Sequence, residues 1–436
     1  MNKIGLWGLG FGIALAGCSQ DIQVEDKAIE AEALWVVITP MIEARASHAA
    51  VRLDDGRVVV IGGSGADGTV LNSVEIYDPS ANQWTMAEPM TQARYAHVAT
   101  LLPDGRVLVS GGTSNADGPT YLDTVEIFDP QARSGWTWSG PIKMNRPHTA
   151  HTVTLLGESE DGTVRGFLVG GDGTFDTDIA ETFEYHPGKC NAQEAIEFML
   201  YLQAWRAHHG HTATLLPSGE VLIVGGYDPY APLSQVGKAA PFAGKDWQKW
   251  MPIDKLREER SRPSSTLLTF GPNQGKVLIA GGEGLSYALF SDTWIFDTQD
   301  NSFSEGPLML GPQSNAEDAW LQGKWVLAGG YGSTITPSGK EGVRVLATPR
   351  VELFDPDLNE WQKLPDLPEA RVSHSLTTLQ NPENKSDHSL LVAGGIDSKD
   401  HVLNGAAILY LNEQCELKSD CSPGLHCLMN RCVQWR

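Results

Sequence analysis

The chain has 436 residues, of which 41% are hydrophobic, and its formal net charge is −22. The length and apolar share allow a large buried core. The acidic balance argues against a nucleic-acid-binding protein, because phosphate recognition needs clustered Lys and Arg side chains.

The first predicted element is an export signal. Met1-Asn2-Lys3 gives a positively charged start, and an apolar run from Ile4 to Leu15 follows that is too short for a stable membrane span. The run ends in Leu15-Ala16-Gly17-Cys18, which resembles the lipobox of bacterial lipoproteins. The resemblance implies a signal peptide over residues 1–17 and lipidation of Cys18. An ordinary secretory signal is the alternative.

Residues 18–32 are polar and acidic, and they predict a flexible lipidated tether. Several acyl chains on one cysteine are enough for stable anchoring. Ser19 follows the cysteine, whereas Asp at that place often marks retention in the inner membrane of related lipoproteins. The expected location is therefore the outer membrane, on its periplasmic or cell-surface side.

A repeat with a period near fifty residues organises most of the chain. A Gly-Gly pair closes a short aliphatic run seven times, and successive pairs lie between 48 and 65 residues apart. The seven pairs are Gly62-Gly63, Gly111-Gly112, Gly170-Gly171, Gly225-Gly226, Gly281-Gly282, Gly329-Gly330 and Gly394-Gly395.

The first unit shows what each repeat contains. Asp54-Asp55-Gly56 predicts a tight turn that joins two strands as a hairpin. A third strand runs from Val74 to Tyr77 and ends at Asp78-Pro79, since proline cannot donate to a following ladder. Trp84 marks a fourth strand. Each unit therefore predicts four short strands rich in branched and aromatic residues.

This pattern resembles the kelch repeat over residues 33–412. The resemblance implies an all-β fold, a seven-bladed kelch-type β-propeller with one four-stranded blade per repeat. The glycines are expected where inner strands crowd around the axis and the chain leaves them with positive φ. The tryptophans are expected to wedge between blades. They are Trp84, Trp136 or Trp138, Trp250 and Trp361.

Three units depart from the pattern, and one of them is blade 4, whose third strand near Val236 is degenerate. Blade 5 has Phe303 where Trp is expected and Ser265 where His is expected, and blade 6 begins with residues 313–315, without Arg or His. Residues 191–205 fit either a capped helix inserted between blades or the fourth strand of blade 3. The strand is favoured because the blade needs one.

The seventh unit lacks its own fourth strand. Residues 33–40 contain Trp35 and precede Met41 and Arg45 in the order found between the other units. The sequence therefore predicts that residues 33–40 complete the last blade and close the ring. Closure of this kind removes exposed strand edges, which otherwise invite aggregation.

Six arginines recur just before the first strand of a unit, on the face that carries the loops after Gly-Gly. Guanidinium groups bind carboxylates bidentately, so a ring of them at the channel mouth predicts a site for a carboxylate or an acidic peptide. The alternative is that they bond only loop carbonyls. The six are Arg45, Arg94, Arg146, Arg206, Arg262 and Arg371.

Five histidines occupy one place in five units, and their repetition indicates a structural role with bonds to backbone. A denser group between blades 3 and 4 leaves a metal site open, but no carboxylate partner is fixed by spacing, so no metal and no cofactor are predicted. The five are His48, His97, His151, His211 and His374, and the denser group is His148, His151, His208, His209 and His211.

The C-terminal segment 413–436 is rich in cysteine. Four cysteines in an exported chain predict two disulfides with three possible connectivities, of which Cys415–Cys427 with Cys421–Cys432 is favoured. The segment resembles short EGF-like tails of bacterial surface proteins. A zinc knuckle is the alternative, although close Cys-x2-Cys pairs are missing. Cys190 remains as a free, buried thiol.

The interpretation of the whole chain is a lipid-anchored binding or scaffold propeller, non-catalytic, whose partner is a protein or carbohydrate ligand at the loop face. The alternative is a carbohydrate-modifying enzyme at the channel mouth. Galactose oxidase and the sialic-acid epimerases share the propeller. The first uses copper with Tyr, His and a cross-linked Cys–Tyr, for which Cys190 is the only spare cysteine. The second uses an arginine-lined channel, but no acid–base pair can be assigned from the sequence.

Overall fold

The computed structural model describes residues 33–115, 120–132, 137–171, 180–189, 192–201, 209–227, 231–241, 250–253, 256–334, 344–380, 387–411, 425–428 and 431–434. In these ranges the chain forms seven four-stranded antiparallel sheets, which are the blades of a β-propeller. The signal peptide, Cys18, the tether, Cys190, Arg206, Cys415 and Cys421 lie outside the described residues.

The chain enters with strand β1 (Ala33–Val37) and then forms blades 1 to 3 in order. A one-turn helix, α1 (Ala192–Ala195), precedes the last strand of blade 3, so the strand expected within residues 191–205 is present. The strands are β2 (Ala49–Arg52), β3 (Val58–Ile61), β4 (Val74–Asp78) and β5 (Gln83–Ala87) in blade 1; β6 (Val98–Leu101), β7 (Val107–Ser110), β8 (Thr124–Phe128) and β9 (Ile142–Lys143) in blade 2; and β10 (Thr152–Glu158), β11 (Val164–Val169), β12 (Ala180–Tyr185) and β13 (Ile196–Tyr201) in blade 3.

Blades 4 and 5 keep the four-strand order, and a turn of 3-10 helix at Leu285–Tyr287 follows the Gly-Gly pair of blade 5. The strands are β14 (His209–Leu215), β15 (Val221–Tyr227), β16 (Val236–Ala239) and β17 (Trp250–Pro252) in blade 4, and β18 (Ser264–Leu267), β19 (Val277–Ala280), β20 (Thr293–Phe296) and β21 (Phe303–Glu305) in blade 5.

Blade 6 carries an extra three-stranded sheet, and a separate hairpin follows blade 7. Blade 6 has β23 (Glu317–Leu321), β24 (Lys324–Ala328), β27 (Val351–Asp355) and β28 (Glu360–Lys363); the extra sheet has β22 (Gln313–Ser314), β25 (Tyr331–Thr334) and β26 (Arg344–Ala347); blade 7 has β29 (Ser375–Gln380), β30 (Asp387–Ala393) and β31 (Ala406–Leu411); and the hairpin has β32 (Leu425–Leu428) and β33 (Arg431–Gln434).

The N-terminal strand closes the ring, as the sequence predicts. Strand β1 pairs antiparallel with β31, with Ala33 opposite Leu411 and Val37 opposite Ala407. Blade 7 thus takes three strands from one end of the propeller and one from the other.

Apolar faces of neighbouring blades pack against each other to form the core. Val59 and Ile61 of blade 1, for example, share a buried cluster with Val107 and Val109 of blade 2. Strands alternate their side chains between two faces, so a central strand buried on both faces reads as a continuous apolar run. This accounts for the aliphatic runs that precede each Gly-Gly pair.

The hairpin β32–β33 sets Cys427 opposite Cys432 in its backbone register. The disulfides remain a prediction, because the other two cysteines of the tail lie outside the described ranges. Of the helices that the structure describes, none is long and apolar enough to cross a membrane.

Candidate functional site

The Gly-Gly pairs bring each blade against the next one at the axis. A Cβ on Gly62 would lie 2.5 Å from the carbonyl oxygen of Arg94 and 2.9 Å from Cε1 of His97, both in the next blade. A Cβ on Gly63 would lie 2.9 Å from Cβ of His48 in its own blade. Glycine is therefore required on both steric and conformational grounds, since Gly62 has a φ of 58° and Gly63 a φ of 103°.

A ring of residues with positive φ surrounds one end of the central channel. Each lies immediately before the histidine position, and five main-chain hydrogen bonds join neighbours in this ring, such as Ala96 N to Ser47 O at 2.9 Å. The seven residues are Ser47, Ala96, Ala150, Gly210, Arg262, Asn315 and Ser373, with φ between 47° and 67°. Main-chain bonds from blade to blade make this rim rigid.

The rim encloses an open cavity of about 590 Å³ to which all seven blades contribute. Most of its lining is small or polar. The lining residues are Ser47, His48, Ala96, His97, Val98, Ala150, His151, Thr152, His209, Gly210, His211, Arg262, Asn315, Glu317, Tyr331, Ser373 and His374. We call this space the mouth cavity.

The five repeated imidazoles are structural and uncharged. Three of them bond a hydroxyl of the preceding blade: His48 to Ser375 at 3.0 Å, His151 to Ser110 at 2.8 Å and His211 to Thr152 at 2.9 Å. Backbone groups also act on four of these rings, as expected: that of Arg45 on His48, Ile61 on His97, Val169 on His211 and Ala328 on His374. Burial lowers the pKa of His48 to about 3 and that of His211 to about 4. Burial also holds the pKa values of His97, His151 and His374 well below the usual range, so these five imidazoles carry no charge at neutral pH.

Arg45, Arg94 and Arg371 do not form an exposed ring. Arg45 and Arg94 are fully buried and Arg371 is 2% exposed. Each guanidinium donates to the carbonyl oxygen of the first glycine of its own blade, at 2.7 Å for Arg45 and Arg94 and 2.8 Å for Arg371. These groups hold the Gly-Gly bend and cannot reach a ligand, so the expectation of a binding ring is wrong for these three arginines. The alternative of bonds to carbonyls alone covers only part of their contacts, because Arg45 and Arg94 also pair with carboxylates.

Buried carboxylates complete this structural role. Arg45 pairs with Glu75 and Arg94 with Glu126, each at 2.8 Å and with both side chains fully buried. Glu75 also accepts the backbone N–H groups of Ile42 and Glu43. Removing one member of such a pair typically costs 3–5 kcal/mol, because it leaves an uncompensated buried charge.

The remaining predicted arginines occupy other places. Arg146 is an exposed residue whose backbone N–H donates to Glu181, and His148 takes the place of the buried arginine, with Nδ1 2.6 Å from Gly170 O. Arg260 takes that place in blade 5, where its guanidinium lies 2.8 Å from Asp292.

Blade 5 is also shifted at its histidine position. Strand register puts Pro263, not Ser265, where other blades have histidine, because Ser264 pairs with Ala280 just before the Gly-Gly pair. Arg262, one residue earlier, therefore stands on the rim itself and lines the mouth cavity.

Sequence reasoning missed the polar side chains of blade 6. Asn315, Glu317 and Tyr331 line the cavity together with Arg262. The signal in the sequence is the loss of the repeat pattern at residues 313–315, which marks blade 6 as different from the others.

A copper centre of the galactose-oxidase kind does not fit the described lining. The described part of the chain holds no group of three or more His, Cys, Asp or Glu side chains placed to bind a metal ion. Three of the five repeated imidazoles are already bonded to Ser or Thr hydroxyls, which keeps these rings in the interblade contacts.

Comparisons with known proteins support the fold. A family model described as tRNA wybutosine-synthesizing protein 4, beta-propeller, matches residues 42–240, from the start of blade 1 to the third strand of blade 4. No curated protein matches the sequence significantly.

Two similar solved structures are both distant in sequence. A fungal alcohol oxidase of the AA5 family in complex with copper is 15% identical over 87% of this chain and 76% of its own, with a TM-score of 0.61. The structure of YjhT is 13% identical over 85% of this chain and 96% of its own, with a TM-score of 0.48. At this identity the oxidase shows a shared β-propeller fold and nothing further.

Proposed function

We propose that this β-propeller is a non-catalytic binding or scaffold module whose protein or glycan ligand docks in the mouth cavity. The observation that carries the proposal is the cavity of about 590 Å³, to which every blade contributes. Its volume lies in the range of ligand sites, and its rim is held by main-chain bonds, so little order is lost on binding.

A bulky side chain in the cavity tests this site. Val98 lines the cavity from strand β6, and Val98→Trp is expected to block it. Leu358 is 62% exposed in the β27–β28 turn, and Leu358→Trp is the matched control. The readouts are a glycan array and a pull-down from envelope extracts. Ligands that bind both variants equally would place binding elsewhere.

A carbohydrate-modifying enzyme is the second candidate, and Glu317 favours it. Burial raises the pKa of the Glu317 carboxyl to about 8, with a further contribution from Asp318. A carboxyl that stays protonated at neutral pH can act as a general acid, and it lies in the same cavity as Tyr331 and His374. Product formation from array-positive glycans, lost in Glu317→Gln, would support this candidate over simple binding.

We further propose that a lipid on Cys18 anchors the module at the outer membrane. The support is the tetrapeptide Leu15-Ala16-Gly17-Cys18 after a short apolar run. Cys18→Ser is expected to move the protein from the outer-membrane fraction to the soluble fraction, as judged on a density gradient. A variant that stays in the membrane fraction would exclude lipid anchoring.

A further inference from the structure

Histidine apart, the ionisable side chains that line the mouth cavity lie on blades 5 and 6. The rim position is occupied by Arg262 in blade 5 and Asn315 in blade 6, whereas Ser, Ala or Gly stands there in the other five blades. Arg262 adopts a φ of 50°, a conformation that a large side chain rarely takes. All seven rim residues share the positive φ, so blade 5 departs from the repeat in its side chain, a guanidinium where five other blades carry Ser, Ala or Gly.

The first residue of the inner strand shows the same asymmetry. Glu317 pairs with Ala328, the residue before Gly-Gly in blade 6. The residues in the same register elsewhere are uncharged and mostly small. They are Ala49, Val98, Thr152, Thr212, Ser264 and Ser375. Glu317 is therefore the one carboxylate at this register position among the seven blades.

The Arg262 charge is already balanced. Its guanidinium lies 2.7 Å from Oε1 of Glu283, and Ser261 and Ser314 donate to that carboxylate at 3.3 and 3.4 Å. With the imidazoles uncharged, an incoming ligand meets no free positive charge on this side of the cavity.

The Glu317 carboxylate has no hydrogen bond or ion pair with any other described residue. On blade 7, the next blade in the ring, His374 is 2% exposed, and burial holds its pKa well below the usual range, so its ring is uncharged. Both residues line the mouth cavity. A carboxylate with no partner among the described residues, in the same cavity as uncharged imidazoles, offers acceptors, and it suits a ligand that brings hydrogen-bond donors and positive charge.

We propose that the mouth cavity accepts a primary alkylammonium group, the side chain of a lysine on a partner protein, with Glu317 as its counter-ion. This inference rests on the proposed binding role of the cavity. Val98 and the five repeated imidazoles give the lining uncharged surface for the apolar four-carbon stem of lysine. The net charge of −22 draws basic partners towards the molecule.

Lysine is favoured over an amino sugar because its ammonium stays protonated over the pH range in which Glu317 ionises. Burial and the Asp318 charge raise the pKa of Glu317 to about 8. The other ionisable groups of the lining are Arg262, Tyr331, His209 and the five repeated histidines. Ion pairing must remove the proton from Glu317. Affinity for the lysine group is therefore expected to rise about tenfold from pH 6.5 to 7.5 and to level off above pH 8.

Calorimetry with matched peptides tests the proposal. The probes are a blocked Gly-Lys-Gly peptide and its Nε-acetyl form, and the matched sugar probes are glucosamine and N-acetylglucosamine oligomers. The unmodified lysine peptide is expected to bind at least tenfold more tightly than the acetylated one at pH 8. Glu317→Gln should abolish this preference. Glu305→Gln should keep it, because Glu305 has a side chain that is 77% exposed and does not line the cavity.

The outcomes separate this inference from the proposed function. Equal affinity for both peptides, or a preference that survives Glu317→Gln, overturns the lysine assignment. A preference seen only with the glucosamine oligomer transfers the ammonium site to a glycan and also overturns it. If Val98→Trp prevents binding of a ligand other than lysine, the cavity is a binding site but not a lysine site. If Val98→Trp prevents binding of no ligand, the proposed binding function is wrong.

Discussion

At the residue scale, the Gly-Gly pair shows how a local pattern encodes a contact between blades. The first glycine makes room for the next blade, and the second makes room for the histidine of its own blade. A buried arginine then binds the carbonyl oxygen of the first glycine. Glycine, histidine and arginine thus recur together, because the histidine and the arginine pack into the space that the two glycines leave.

Gly62→Ala is expected to destabilise the protein by about 3 kcal/mol or more in urea unfolding. Positive φ alone costs about 1–2 kcal/mol for alanine, and the contact with Arg94 O adds to it. Gly56→Ala is the control, because Gly56 also has a positive φ, of 89°, but nothing lies within 4 Å of its added Cβ. Equal losses in the two variants would show that the contact between blades contributes nothing.

The lowered pKa of His48 predicts that the protein loses stability in acid. Its pKa is about 3 in the folded state against an ordinary value of 6.5, because burial disfavours the charged ring. The unfolded chain therefore binds one more proton between these values, and the free energy of unfolding falls by about 1.4 kcal/mol per pH unit as pH drops from 6.5 towards 3.

His48→Gln should remove that slope, measured as the difference from the parent protein at each pH. The comparison cancels the contributions of the other histidines, and of Glu317 and Asp318, whose raised pKa values act in the opposite direction. A difference that does not change between pH 4 and pH 6.5 would mean that His48 does not titrate with unfolding.

At the element scale, a tryptophan in the fourth strand of blades 1, 6 and 7, and just before it in blade 2, ties the blade to the preceding one. The indole N–H of Trp84 donates to Thr39 O at 2.9 Å, that of Trp138 to Glu88 O at 2.8 Å and that of Trp361 to Pro307 O at 3.1 Å. Each acceptor follows the outer strand of the preceding blade. Trp35 of β1 repeats the bond with Pro365 O, so the closing strand behaves as an ordinary fourth strand.

Trp84→Ala is expected to lower the free energy of unfolding by about 3–5 kcal/mol, because a buried ring and its hydrogen bond are both lost. Met86→Ala in the same strand is the control, since Met86 is 49% exposed. Its loss should stay within about 0.5 kcal/mol. A melting curve for Trp84→Ala that matches the control would exclude the interblade role.

At the scale of the whole molecule, stability depends on both ends of the propeller meeting in blade 7. Without β1, the polar backbone groups of β31 become an open edge, and the buried Ala33 leaves the cluster that it shares with Leu390 and Leu409. An open edge of this kind pairs with other chains.

Deletion of residues 33–40 is therefore expected to give an aggregating protein, measured by light scattering and size-exclusion chromatography. A chain that starts at Ala33 is the control and should remain monodisperse with a cooperative melt. If the deletion also melts cooperatively and stays monodisperse, closure by β1 is unnecessary for the fold.

The repeat, the seven-bladed fold, the four-strand blades and the closing strand could all be predicted from the sequence alone. These features follow from short-range patterns, since alternating apolar runs, Asp-Gly turns and Gly-Gly bends act through neighbouring residues. The fourth strand of blade 3 could be inferred because the fold required one. The position of Arg146 could have been corrected from spacing, because it lies five residues before His151 whereas Arg45 lies three before His48.

Which groups the polar side chains contact could be seen only in the folded chain. A guanidinium before an inner strand can turn towards a glycine carbonyl or towards the channel, and burial against Glu75 and Glu126 selects the first for Arg45 and Arg94. The mouth cavity is assembled from residues of all seven blades, which lie far apart in the chain. Glu317 became a candidate only when strand register placed it on the innermost strand, where the other blades carry no charge.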